Sequence, residues 1–443
     1  MAVKIPVDSR VDSQALNPNN VAAKSPASRA DRPLSFHVAD FSRPSNRTEE
    51  WRFAPLRRLR PFFDTTAEQI RSSCADQAGV SLTADGIALE TVARDDARLG
   101  KLQAPEDQLG ALAWEGAPHA YVATLPADTE LEREATVHLH GHQLADDTSV
   151  RAVEMLIDAG ERSRGTILLT HTGSAALTEG VEIRVGDGAH LTLVSIQDWD
   201  DDALHALSFR MRLGTDATLK HIVVSLGGSV VRVTSALDYA GTGGDAELLG
   251  AYFADAGQHL EHRLYVDHNQ PQCRSNALYK GALQGEGARA VWVGDVLIRP
   301  EAEGINTYEL NRNLVLSDGP RADSVPNLEI ETGKIEGAGH ASATGRFDDE
   351  QLFYLLSRGI PEKEAHRLVV MGFFAELINQ IGVPTVQEKL LTHIETTLDK
   401  LGQGAPGNAP AGVPSAPVSF SDAEIGRAAS ANEDEDDTVA HMG

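Results

Sequence analysis

Cysteine is nearly absent: two in 443 residues. Cys74 and Cys273 lie far apart and outside any CxxC pair, which excludes a disulfide framework and a thiolate zinc site. Such usage is expected of a reduced, cytosolic protein. Positive charge is scarce as well, with 39 Lys and Arg against 65 Asp and Glu, a formal net charge of -26. A field of that sign repels phosphate backbones and anionic lipid headgroups, so neither nucleic acid nor a membrane surface is an expected partner. The segment 403–443 holds seven acidic residues and one arginine, so -20 of the charge belongs to the rest of the chain. Long apolar runs are missing too. The longest, "LVVMGFFAELI", falls short of the roughly 20 residues that cross a bilayer and contains Glu376. No apolar run follows the first lysine, so a secretory signal is not expected. There is no GxxxxGK[ST] loop to cradle phosphates, and nucleotide hydrolysis by this chain is not expected.

What is present divides the chain by texture. Residues 1–33 lack periodicity and read as a flexible tail, and 34–119 as a mixed, partly helical domain. From 120 to 346 short alternating or β-branched runs follow one another, among them "TILLTH", "HLTLVSI", "LKHIVVSL", "HLEHRLYV" and "AVWVGDVLI", broken by turn signals such as "VGDGAH" and "LGGS". A sandwich and a β-solenoid both fit this pattern. The number of strands favours the solenoid, because a sandwich of that size would leave long edges to protect. At Asp348 the signal turns helical over 347–402, with Gly359 ending one helix and Pro361 opening the next. In "PEKEAHRLVVMGFFAELINQIG" one apolar stripe runs through Val369, Phe373, Leu377 and Ile381, and a second through Val370, Phe374 and Ile378. One stripe can pack at home while the other meets a partner. "PTVQEKLLTHIETTLDKLG" adds a third helix, and 403–443 reads as a disordered acidic tail.

Several constellations invite a chemical reading. "HLHGH" sets His138, His140 and His142 on one face of a strand, where three imidazoles could hold a metal, although satisfied histidines are the commoner outcome. "QDWDDDALH" offers Asp198, Asp200, Asp201 and Asp202, which in a β-helix could serve a carbohydrate-active enzyme; turn aspartates are usually just solvated, and aromatics make up 5% of the chain. "DHNQPQCRSNALYKG" pairs Cys273 with His268 at a spacing that says nothing of hydrogen bonding. The arginines of "WRFAPLRRLR" form a basic face suited to docking on an acidic body. "GAGHASATG", residues 337–345, isolates His340 among small residues, and Ser342 stands where a dinucleotide fingerprint needs its third glycine.

Five stretches in order, "RTEEWRFAPL", "QDW" at 197–199, "DHNQPQCRSNALYKG" at 267–281, "VLIRPEAEGINTYELNRNLVLSD" at 296–318 and "HASATGRFDDEQLFYLLSRGIP" at 340–361, resemble the SufB/SufD family, in its SufD branch, over about 40–402. These are the β-helical subunits of the SUF iron-sulfur assembly machinery. The resemblance implies a mainly β fold, a right-handed parallel β-helix flanked by N-terminal and C-terminal helical domains. It also implies a non-catalytic scaffold in the cytoplasm that pairs with SufB through the β-helix, or forms a homodimer, and docks the SufC ATPase on its C-terminal helices. Val370, Phe373, Phe374, Leu377 and Ile378 are the natural docking candidates. Many members carry Cys-Ser-His-Gly-Ala-Thr where "GAGHASATG" stands, and their histidine matches His340, while Ala338 and Gly339 replace the cysteine and serine. A metal-ligand role in holding a transient iron-sulfur cluster, shared with SufB, therefore rests here on His340. Such clusters take mostly thiolates, with imidazole an occasional substitute, and the small neighbours Gly337, Gly339 and Ala341 would let a cluster or a partner backbone come close.

Overall fold

The computed structural model describes residues 28–73, 79–142, 147, 149–347 and 349–401. The tails expected over 1–33 and 403–443 lie outside these residues, apart from 28–33, as does Cys74. The chain divides into a unit ending at Leu398 and a second from Asp399 to Gly443, of which 399–401 are described.

Strands of about ten residues follow one another from Val150–Ala159 to Gly337–Arg346. Each pairs in parallel with the strand two places along the chain. Thus Asp245–Ala254 lies between Thr218–Ser225 and Arg274–Leu283, while Val230–Tyr239 lies between Leu204–Leu213 and His259–His268 in the opposite sheet. Alternate return to two sheets is what a parallel β-solenoid is, here of about 7 turns. Among the described residues the two sheets have nine strands each. At the N-terminal end Val80–Asp85 and Leu89–Val92 add antiparallel to Ala135–His142 and Ala120–Leu125, covering both edges there. These two strands arise in a region whose sequence reads as mixed and helical.

Because side chains alternate along a strand, every second residue fills the space between the sheets. Stacking in register turns these into columns: Ile167, Leu193, His221, Leu248 and Ala277 form one. Gly281 stands in such a column because a Cβ there would overlap the Tyr252 ring.

The N-terminal segment wraps the outer face of one sheet. Trp51, Leu59, Phe62, Ile70, Leu109 and Leu112 bury together with Ala152, Ala176, Ala206 and Val230 of that sheet. Outward charges trapped beneath it are paired. Arg232 bonds Glu261 and, at 3.1 Å, Asp107, with its guanidinium 4.4 Å from the Trp51 ring. Asp107 also caps the helix Gln108–Gly116, accepting from the Leu109 and Gly110 amides.

The helices Asp349–Ser357, Glu362–Ile381 and Pro384–Leu401 follow the last strand. The middle one crosses the outer face of the other sheet. Lys220 donates to the Gln380 carbonyl at 2.7 Å, satisfying an orphan acceptor at the helix C-terminus just before Gly382 turns left-handed at φ 66°. Lys280 donates to the Phe373 carbonyl and pairs with Glu376 at 2.6 Å. No helix among the described residues is long and apolar enough to cross a membrane.

Candidate functional site

The two ends of the solenoid differ. The last strand of each sheet, Arg321–Ile330 and Gly337–Arg346, pairs on one side among the described residues and leaves its other edge free. Such edges are templates for strand addition. The stretch "GAGHASATGR" is poor in strand-forming residues, and its ladder with Asn306–Val315 holds it extended. Register sets Ala338, His340, Ser342 and Thr344 on Thr307, Glu309, Asn311 and Asn313. Ala338 packs against the core, so His340, two residues on, shares the inward parity and closes that column at its open end. His340 is exposed.

Directly beneath it, Glu309 is 2% exposed, with neither carboxyl oxygen partnered among the described residues. Burial pushes its carboxyl up to about 8, Asp295 adding to the effect, so Glu309 stands as a neutral acid at pH 7. The next inner positions are amides. Asn311 donates to the Tyr252 hydroxyl, and Asn313 donates to Ser324 from the facing sheet.

A second polar cluster is sealed inside the opposite half of the solenoid. His171 and Glu179 lie on consecutive strands in opposite sheets, and His205 follows on the next strand of Glu179's sheet. Glu179 Oε2 is 2.9 Å from His171 Nε2 and 3.0 Å from His205 Nε2, and all three side chains have 0% exposure. Burial takes His205 down to about 4, and the imidazoles hold the Glu179 carboxyl low, at about 2, against the cost of burying it. Inward parity with Ile167 and Leu169 would have marked His171 in the sequence. Nothing in the sequence tells which facing residues it meets.

Residues 142–373 match the SUF system FeS cluster assembly, SufBD core domain. An iron-sulfur cluster assembly SufBD family protein of Mycobacterium tuberculosis is 49% identical over 371 residues, covering 82% of this chain and 92% of that protein. The chain belongs to the SufBD family. A SufBD family protein of Mycobacterium leprae is likewise 49% identical, over 373 residues (82% and 93%), and the iron-sulfur cluster assembly protein SufD of Escherichia coli is 24% identical over 404 residues (83% and 90%).

The other sequence candidates fall into place around this SufBD solenoid. His138, His140 and His142 do share one face, each bonded to a hydroxyl at 2.7 Å: Thr170, Thr172 and Ser81. Asp198 pairs with Lys389 at 2.8 Å, and Asp200, Asp201 and Asp202 are exposed in a turn. The Cys273 thiol is buried between the Gly241 and Pro271 carbonyls, and burial raises its pKa, the opposite of what a nucleophile needs. His268 bonds Ser275 instead. Arg58 docks on this chain's own body, donating to the Ser229 and Gly257 carbonyls.

On the helix Glu362–Ile381 the two apolar stripes lie side by side. Successive residues are about 100° apart, so the two stripes run alongside each other. They form one broad face. Val370, Phe374, Leu377 and Ile378 are 8% exposed or less, and Phe373 is half-buried with its ring 5.4 Å from Lys280 Nζ. Among the described residues, the large apolar side chains left exposed in the helical part are Phe353, Tyr354, Leu356 and Leu368.

Proposed function

We propose that the chain is a non-catalytic scaffold subunit of the cytoplasmic SUF assembly machinery. Its open solenoid end pairs with a SufB-type subunit, and its C-terminal helices dock a SufC-type ATPase. His340 supplies one nitrogen to the nascent cluster, which is cargo. The observation that carries this is an exposed imidazole at the terminal rung, on a free strand edge, above a buried neutral carboxylic acid.

The donor inventory supports a shared site. Clusters need about four ligands, mostly thiolates, and Cys273 is enclosed. Hence most donors come from the partner, as does the nucleotide pocket. Ser342 and Thr344 flank His340 at the same parity and offer hydroxyls to a partner strand, while Gly337 and Gly339 keep the approach narrow-walled but open. The ATPase would grip the exposed Phe353, Tyr354, Leu356 and Leu368, and the lysine ties from Lys220 and Lys280 to the Glu362–Ile381 helix carry its movement to the sheet beneath.

Co-expression with SufB and SufC counterparts tests the reading. His340→Ala should lower cluster assembly severalfold while the complex still co-purifies. Unchanged assembly removes His340 from the ligands, and a stable cluster or ATP hydrolysis by the lone subunit refutes the scaffold role. A homodimer in place of the mixed complex would reassign the partner of the open end.

A further inference from the structure

We infer that His171, Glu179 and His205 form a binding site for one divalent first-row transition metal ion, resident inside the solenoid and distinct from the cluster held at its open end. The argument begins with the protons. His171 Nδ1 lies 3.1 Å from the Ile196 carbonyl, which can only accept, so Nδ1 carries the hydrogen. His205 Nδ1 lies 2.8 Å from Gln197 Oε1, and that amide is oriented by donating its nitrogen to Ser195 Oγ at 2.7 Å. Trp199 Nε1 reaches the same oxygen at 3.1 Å. In the tautomer that gives the His205 Nδ1–H to Gln197, both Nε2 lone pairs face one oxygen of Glu179, at 2.9 and 3.0 Å; in the other, Trp199 Nε1 donates to His205 Nδ1 at 3.1 Å. In the first tautomer three acceptors converge, and a cation among them satisfies all three. One proton serves one imidazole and leaves the other lone pair against the carboxylate; two protons leave a net positive charge sealed in a site without water access.

A metal ion answers all three atoms. The donor atoms lie within 4.8 Å of one another. At ordinary bond lengths of about 2.1 Å, the two nitrogen-oxygen spacings correspond to ligand angles of about 90°, as between the carboxylate oxygen and two adjacent ligands of an octahedron. Glu179 Oε1 has no partner among the described residues and is free to become a further ligand of the same ion. The supporting shell is built as well: the Ile196 carbonyl fixes the His171 tautomer, and the Gln197 amide oxygen behind His205 aims its Nε2, as such partners do in metal sites. Two imidazoles and a carboxylate suit zinc, iron(II) or manganese(II) better than calcium or magnesium. With no exposure at any ligand, the ion would enter during folding.

The test uses the full chain carrying His138→Ala, His140→Ala and His142→Ala, so that the outer histidine ladder contributes nothing. Unfolded protein is refolded with excess zinc or iron(II), dialysed against EDTA, and its metal content measured. About one ion per chain is expected, falling at least tenfold in Glu179→Gln that still shows a native circular dichroism spectrum. Should that variant not fold, cobalt(II)-loaded parent protein gives the answer: X-ray absorption must show two imidazoles in the metal's shell. Less than about a tenth of an ion per chain, undiminished metal in folded Glu179→Gln, or cobalt without imidazole ligands would overturn the site. Each would mean that Trp199 donates to His205 Nδ1, 3.1 Å away, and that protons alone hold the trio.

Discussion

His221 gives the sharpest test of how the solenoid interior is filled. It sits between aliphatic side chains, with Leu193 and Leu248 its neighbours in register on either side. It has 0% exposure, and neither ring nitrogen has a partner among the described residues. Burial lowers its pKa from 6.5 to about 3. Between those values the unfolded chain takes up a proton that the folded chain refuses, so stability is lost as pH falls through this window. At pH 5 the loss from this one side chain is about 2 kcal/mol relative to pH 8. His221→Leu continues the leucine column and abolishes that loss. Relieving unsatisfied nitrogens returns about 1–3 kcal/mol, against about 0.5–1.5 kcal/mol for the lost edge-on contact with Phe209, whose ring centroid is 4.6 Å away. The variant should therefore be more stable by about 1 kcal/mol at pH 8 and by about 3 kcal/mol at pH 5. Urea unfolding at the two pH values measures both. Equal gains at both, or a loss at pH 8, would refute the view that this imidazole is neutral, unpartnered and tightly enclosed.

Other variants test other parts. Arg232→Met strands the buried Glu261 and Asp107 carboxylates beneath the N-terminal wrap, and should cost about 3–5 kcal/mol, read as a fall in the thermal midpoint. Glu309 works in the opposite sense to His221: its folded pKa of about 8 stands above the ordinary 4.5, so its stabilisation is present below pH 4.5 and is lost as pH rises through 8. Glu309→Gln should remove a decline of a few kcal/mol between pH 5 and 9, seen as a flatter curve of unfolding midpoint against pH. Replacing both Phe353 and Leu368 by Asp should abolish retention of the ATPase on a column while leaving the circular dichroism spectrum unchanged; retained binding would move the docking surface elsewhere.

The sequence carried the strands because alternation is local. In "HLTLVSIQDW" the parity of Leu191, Leu193 and Ser195 already states which side faces in, and a long succession of such runs at turn-limited spacing left a solenoid as the economical reading. Helix ends were legible for the same reason, at Gly359 and Pro361. Val80–Asp85 and Leu89–Val92 were not, since they owe their extended form to the edges of Ala135–His142 and Ala120–Leu125 rather than to their own residues. The spacing of the Glu362–Ile381 helix left open how much of it packs at home, since burial of Val370, Phe374, Leu377 and Ile378 depends on what the helix lies against. His340 stood out by its surroundings, yet Glu309 beneath it and the His171, Glu179 and His205 trio could not. Both depend on which strands stack and which columns face each other across the interior, and no spacing along the chain encodes that.

Aliphatic side chains would fill the space between two sheets at less cost than histidine, glutamate and asparagine, because each polar group brought inside must find a partner or stay unsatisfied. The interior polar groups of this chain cluster mainly in two regions. One is closed, with Leu139 below His171 in register and Ser225 above Gln197. The other, from Glu309 to Thr344, opens on the free strand edges. A closed donor set can keep an ion but cannot exchange it, whereas an exposed imidazole at an open rung can bind and release. Under the two proposals the division of labour is a permanent centre within and a transient cargo at the end, which would account for both departures from an aliphatic core with one architecture.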